Sequence, residues 1–237
     1  MTAQPLAGRT AIVTGASRGI GAAIARRLAA SGARVALLAR SEQVLRALAR
    51  ELGGAAVAVV ADVSHPDAAV QALAALGVDA PDILVNNAGA FFVTPAHETS
   101  VEAFRDALEL NLTAPFAFVR AVLPAMRQRG AGHVVTIGSI ADRVAFPGNA
   151  AYAASKFGLR AMHEVLRAEL KGTGVRASLV SPGPVDTPLW DAVDPGVRVG
   201  HTPRQDMLPA DAVADAVHYV VTVPVAVNVD ELRLSHS

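Results

Sequence analysis

The feature that most constrains this chain is a turn, Thr14-Gly15-Ala16-Ser17-Arg18-Gly19-Ile20-Gly21. It follows an apolar run at residues 10–14 and opens a helical pattern in which Ile24 and Leu28 stand four apart. A strand feeding directly into a helix through glycines starts a strand–helix–strand unit. The remaining sequence repeats that alternation. Runs at residues 35–38, 56–61, 83–85, 133–137, 175–180 and 225–232 read as buried strands. Helical periods fill residues 42–52, 67–76, 100–129, 151–170 and 211–220. Pro115 and Pro124 fall inside the long third pattern and predict kinks. Apolar strands alternating with helices pair in parallel, with helices on both faces. The expectation is one α/β domain over residues 1–237, a doubly wound parallel sheet of about seven strands. Ligands of such sheets bind beyond the carboxyl ends of the strands.

Every motif in this sequence falls at such an end. In the turn, Gly15, Gly19 and Gly21 allow a pyrophosphate to approach the backbone, and Ser17, Arg18 and Ile20 lie in the amide-rich start of the helix. The plainer alternative is a tightly packed strand–helix corner. At the end of the second strand, where a carboxylate would hold a ribose 2′-hydroxyl, stand Ala39 and Arg40. Arg40 and Arg18 together can clamp a 2′-phosphate through forked hydrogen bonds, although Arg40 alone reads equally as a solvated charge. Asp62-Val63 ends the third strand, and Asn86-Asn87-Ala88-Gly89 the fourth.

Tyr152 and Lys156 lie at i and i+4 and so share one helix face. Alone, that pair is an ordinary amphipathic feature. Ser139, just past the fifth strand, places a second hydroxyl where the next loop can bring it to Tyr152. Asn111 sits among apolar residues and needs a partner if buried. Only two of the 21 basic residues are lysines, Lys156 and Lys171. Arginine usage reads as genomic bias, but a compact, tunable ammonium is something arginine cannot replace.

From about residue 6 to 216 the chain resembles the short-chain dehydrogenase/reductase family. The resemblance rests on the Gly-x-x-x-Gly-x-Gly turn, Asn86–Gly89, and the set Asn111, Ser139, Tyr152 and Lys156. It implies a Rossmann fold and an enzyme that uses NADP(H) to interconvert a carbonyl and an alcohol. It implies that Tyr152 is the general acid or base, Ser139 the group that orients the carbonyl oxygen, Lys156 the ribose-binding ammonium, and Asn111 the holder of a proton-relay water. It further implies adenine contacts from Asp62 and Val63 and cofactor contacts from Asn87, Ala88 and Gly89. Pro182, Gly183, Val185 and Thr187 would hold the nicotinamide carboxamide. The alternatives left open are an alcohol dehydrogenase acting oxidatively on a sterol, polyol or 3-hydroxyacyl substrate, and a non-catalytic NADP(H)-binding regulator.

Composition limits the partners. Lys+Arg and Asp+Glu both number 21, so no basic stripe suits nucleic acid. Cysteine is absent, which removes thiolate chemistry. No metal is expected, since His97, His133 and His201 read as surface or loop residues without companion ligands. The most apolar stretch, residues 212–229, contains Asp215, His218, Pro224 and Asn228, so no membrane span is expected. No secretory leader is visible, which predicts a cytoplasmic protein. Residues 186–209 read as an irregular substrate lid. Its Leu189, Trp190, Val193, Met207 and Leu208, with Phe91, Phe92 and Phe146 opposite, predict a small carbonyl or alcohol substrate with an apolar body. In the family the helices carrying Asn111 and Tyr152 form a subunit interface, so a homodimer or homotetramer is expected. The sequence around Asp230-Glu231 lacks the Val-Asp-Gly-Gly that closes many relatives, which weighs against a 3-oxoacyl carrier-protein reductase and the usual tetramer.

Overall fold

A computed structural model of the protein describes residues 4–75, 77, 80–191 and 202–237. Its centre is a seven-stranded sheet in which all six neighbouring pairs are parallel. The strands are β1 (Thr10–Thr14), β2 (Arg34–Ala39), β3 (Ala56–Val60), β4 (Ile83–Asn86), β5 (Gly132–Ile137), β6 (Val175–Pro182) and, at the edge, β9 (Glu231–Leu234). Their spatial order is β3-β2-β1-β4-β5-β6-β9. The winding reverses between β1 and β4, and the crevice of a doubly wound sheet opens where the order reverses. Two further strands, β7 (Val185–Asp186) and β8 (Leu208–Pro209), pair with each other at the two ends of the lid segment.

Strands covered on both faces need no polar side, and β1 shows this. Ala11, Ile12 and Val13 are all fully buried. Ala11 and Val13 face a core with Ile24 and Leu28 of α1 (Gly19–Ala30), Leu45 and Leu48 of α2 (Glu42–Glu51), and Val213 and Val217 of α7 (Ala210–Thr222). Ile12 faces the other core, with Leu73 of α3 (Pro66–Ala75), Phe118 and Met126 of α5 (Ala114–Arg129), and Leu166 of α6 (Ala150–Glu169). Each fully buried Ile, Leu or Phe contributes about 1.5–3 kcal/mol. Gly130, with φ 64°, closes α5 in the left-handed conformation that suits glycine.

Three expectations change. The long helix over 100–129 is α4 (Val101–Leu108), a π-helical turn (Glu109–Thr113) and then α5. Pro115 lies in the first turn of α5 rather than at a kink inside one helix. It has no N–H to return to residue 111, and the wider turn before it absorbs that loss. The last strand is Glu231–Leu234, not 225–232. Ahead of it the Val227 N–H closes a turn on the Pro224 carbonyl at 2.8 Å, and Arg176 donates to the carbonyls of Val223 and Val227. Third, His133 is buried inside β5, with its Nε2 2.8 Å from Ser178 Oγ on β6. Its partner lies 45 residues away, so a histidine opening a strand passes for a surface residue in the sequence. His97 is exposed beside Glu98. Val193 and His201 lie outside the described residues. Among the described residues no helix is long and apolar enough to cross a membrane.

Candidate active site

Beyond Ile137 the backbone passes Gly138 and enters Ser139 in extended geometry. A one-turn 3₁₀ helix, Ile140–Asp142, begins there, and the Ser139 hydroxyl accepts the Ala141 N–H at 3.1 Å. α6 starts across from it with Tyr152 in its first turn and Lys156 one turn on. Lys156 Nζ donates to the Ile137 carbonyl at 3.0 Å and lies 5.7 Å from the centre of the Tyr152 ring. Lys156 is buried, and burial lowers its pKa to about 8, with the charge of Asp142 acting to raise it. Burial raises the Tyr152 pKa above the ordinary phenol value. A hydrogen bond with Ser139 partly opposes that rise, and Asp142 adds to it. Ser139, Tyr152 and Lys156 therefore meet at the carboxyl end of β5.

Asn111 joins this group through the π turn. It is fully buried. Its Oδ1 accepts the Ala90 N–H at 2.9 Å, and its Nδ2 donates to the Ala90 carbonyl and to Ser155 Oγ, each at 3.0 Å. Ser155 Oγ in turn donates to the Tyr152 carbonyl at 2.7 Å. Asn111 is thus a strut between the loop after β4 and the catalytic-side turn of α6. Both of its N–H donors are committed to protein, so none is left for the expected relay water.

A cleft of about 530 Å³ opens at the switch point beside this group. Gly15, Ser17, Arg18, Gly19, Ile20, Arg40, Asp62, Val63, Asn87, Ala88, Gly89 and Thr187 line it. Ser41, Val44 and Leu110 line it as well, and sequence reasoning missed them. Ser41 is the residue before α2 and makes no side-chain cap there, so its hydroxyl stands beside Arg40 at a helix N-terminus. The signal available in the sequence was a Ser after Arg40 at a strand–helix junction. Gly21, Tyr152, Lys156, Pro182, Gly183 and Val185 do not line the cleft. The Gly183 N–H is spent on the Leu234 carbonyl of β9 at 2.8 Å, and the Val185 carbonyl accepts the Trp190 indole N–H at 3.0 Å.

The glycines have internal reasons for their size. A Cβ on Gly21 would lie 2.3 Å from the Gly15 carbonyl oxygen, and one on Gly89 would lie 2.9 Å from Asn111 Oδ1. Gly15 takes φ +67° with its backbone against Ala88. Asn87 is mainly a staple, since its Nδ2 donates to the Thr14 carbonyl at 2.9 Å while Thr14 Oγ1 accepts the N–H groups of Asn87 and Ala88. Asn86 donates to the Pro115 carbonyl at 3.3 Å. Asp62 folds a local turn, its Oδ1 accepting the backbone and hydroxyl of Ser64. Burial pushes its pKa up, but those hydrogen bonds and Arg40 outweigh it and leave the carboxyl below its ordinary range. Arg40 lies 3.8 Å from Asp62, with 77% of its side chain exposed.

The set of groups fits a phosphate-bearing dinucleotide. α1 starts with no side-chain cap and no acidic residue in its first turn, which leaves its positive end open to an anion. Apolar groups bound the opposite side of Tyr152. The Phe91 ring meets Tyr152 and Trp190 edge-on, with both centroids at 4.9 Å. Met207 and Leu208 belong to the core rather than to an open lid face, while Phe146 is exposed. Arg204 ties the two described ends of the lid segment together, donating to Asp186 and Asp191 and to the Thr187 carbonyl.

Comparison with known proteins agrees with this arrangement. The family model described as short chain dehydrogenase matches residues 9–197. An uncharacterized oxidoreductase of Staphylococcus epidermidis is 35% identical over 229 residues, covering 95% of this chain and 96% of its own. The 2-(R)-hydroxypropyl-CoM dehydrogenase of Xanthobacter autotrophicus is 39% identical over 226 residues, with 90% of each chain covered. A metagenomic short-chain oxidoreductase solved in complex with NADP superposes with a TM-score of 0.81 at 37% identity, covering 98% of this chain and all of the other. The chain belongs to the short-chain dehydrogenase/reductase family of oxidoreductases, which bind nicotinamide cofactors.

Proposed function

We propose that this protein is an NADPH-dependent reductase that transfers hydride to the carbonyl of a mainly apolar small molecule. The observation that carries the reading is the meeting of Ser139, Tyr152 and Lys156 at the carboxyl end of β5, beside the glycine-walled cleft. The bound dinucleotide supplies the hydride. The chain's own residues manage the oxygen, which becomes an alkoxide as hydride arrives. The Ser139 hydroxyl donates to that oxygen and orients it. Tyr152 gives it a proton. Lys156 keeps an ammonium beside the phenol, at a pKa of about 8 that leaves it mostly charged at neutral pH. The raised pKa of Tyr152 keeps it a phenol, the form that donates a proton.

Arg18, Arg40 and Ser41 around the end of β2 support NADP over NAD, as a phosphate there meets two guanidinium groups and a helix N-terminus. The NADP-bound relative agrees. The Phe91–Trp190 wall beside Tyr152 supports an apolar substrate body. The test is NADPH consumption with a panel of diketones, aldehydes, quinones and β-ketoesters. Turnover is expected with NADPH and little with NADH. Tight NADPH binding without turnover on any of them would favour a regulator.

We also propose a homo-oligomer built on α5 and α6. Phe116 and Val165 are more than half exposed there, and with Leu123 and Met162 they line an apolar groove between the two helices. Val165→Asp is expected to yield monomers in sedimentation.

A further inference from the structure

A buried carboxylate stands behind the reacting groups, and no role above uses it. Asp142 is fully buried at the end of the turn that Ser139 begins. Its Oδ2 accepts the Ser181 hydroxyl from β6 at 2.6 Å and the Ser139 backbone N–H at 3.4 Å. Its Oδ1 accepts Arg143 Nε at 2.8 Å. Arg143 reaches on to Glu231 of β9 at 2.6 Å. The packing leaves no slack, since a Cβ on Gly138 would come within 2.5 Å of Ser181 Oγ and 2.7 Å of Asp142 Oδ2.

The charge count matters as much as the hydrogen bonds. One guanidinium is shared between two carboxylates, so the chain Asp142–Arg143–Glu231 keeps a net negative charge. Lys156 meets the Ile137 carbonyl of β5 and the Tyr152 ring, Tyr152 meets Ser139 of the turn and the Phe91 ring, and Asp142 of the turn, held by Ser181 of β6, acts on both. Arg143 and Glu231 are the next charges outward. Among the described residues, Asp142 is the charged residue that acts on both Lys156 and Tyr152.

We propose that Asp142 is a positioning residue of the active site: it pins the Ser139 turn to β6 and presents a fixed negative charge to the Lys156–Tyr152 pair. That charge favours the ammonium and disfavours the phenolate, so it keeps the pair in the proton-donating state. The functional sense of this rests on the proposed role of Tyr152, but its physical content does not.

The two-lysine sequence makes the test direct. With lysine labelled by carbon-13 at Cε, NMR on the protein without cofactor shows Lys156 and the exposed Lys171 separately. In Asp142→Asn, which keeps the shape and removes the charge, the Lys156 midpoint should fall from about 8 by roughly one unit. The midpoint of Lys171 should stay in place. Arg143→Gln removes the compensating cation, so its Lys156 midpoint should rise, and this variant decides the matter if Asp142→Asn does not fold. Ser181→Ala loosens the turn but keeps the charge, so it should lower Tm and leave the midpoint alone. An unmoved Lys156 midpoint in a folded Asp142→Asn, or a fall in Arg143→Gln, overturns the proposal. A Tyr152→Phe enzyme with full turnover would sink the functional reading alone, since the titration needs no turnover.

Discussion

The two ends of the cleft are built differently. At the β5–α6 end, Asn111, Ser155, Lys156 and Asp142 are all buried, and each has protein partners before any ligand arrives. At the β2–β3 end, Arg40 is mostly exposed and rests on a 3.8 Å ion pair with Asp62. An exposed pair of that kind contributes on the order of 0–1 kcal/mol. Where a proton must move, the geometry is fixed in advance. At the end proposed to choose the cofactor, charge is carried on solvated arms that salt can screen. Changes at the first end should therefore abolish turnover or unfold the protein, and changes at the second should only retune preference.

Tyr152→Phe is the severest case. Loss of a general acid should reduce kcat by about 10²–10⁴-fold, while calorimetry shows NADPH binding unchanged. Wild-type turnover would mean that the buried end is not the reacting end. Next is Asn111→Ala, which strands the Ala90 N–H and carbonyl and Ser155 Oγ. These three groups, two of them part-buried, should cost about 3 kcal/mol together, on the order of 10 °C in Tm. A Tm within a degree of wild type would show that the strut bears little.

Acid should act elsewhere, on two histidines buried in the body of the fold. His133 on β5 and His163 on α6 are held neutral by burial, with pKa values of about 3 and about 4 against 6.5 for the free side chain. Between 6.5 and those values the unfolded chain binds more protons, so stability present above pH 6.5 is lost as pH falls. At pH 5 the loss should be about 2 kcal/mol for each histidine. Urea melts of wild type and His133→Gln should show a shallower pH dependence in the variant. The smallest effect belongs to the exposed end. Arg40→Asp should weaken NADPH roughly tenfold, about 1.4 kcal/mol, and leave NADH nearly unchanged. Added salt should mimic it in the wild type. Equal losses for both cofactors would erase the distinction between the two ends.

The sequence and the structure part company along the same line. Apolar runs and glycines were enough to mark the first six strands and a doubly wound parallel sheet, because strand burial and turn geometry are local properties. Ser139, Tyr152 and Lys156 could be picked out because they lie at a strand end and on one helix face. What could not be read was long-range pairing. His133 finds Ser178, Asp142 finds Ser181, and Arg143 finds Glu231 only after distant strands align. Gly89 also lies against Asn111 Oδ1, a contact 22 residues away that no local pattern shows. The π turn left only Pro115 as a trace, since its other determinant is the distant pair Ala90 and Ser155 that Asn111 reaches.

That π turn makes the chain sensitive to length as well as to chemistry. A π turn holds one residue more than the α-helical path it interrupts. Removing Leu110 or Leu112 would return the segment to the ordinary helical repeat. It would also rotate Asn111 away from Ala90 and Ser155. A single-residue deletion that leaves Asn111 in the sequence would thus cost the site its brace. The reading frame of this helix, rather than its composition, is what the active site depends on.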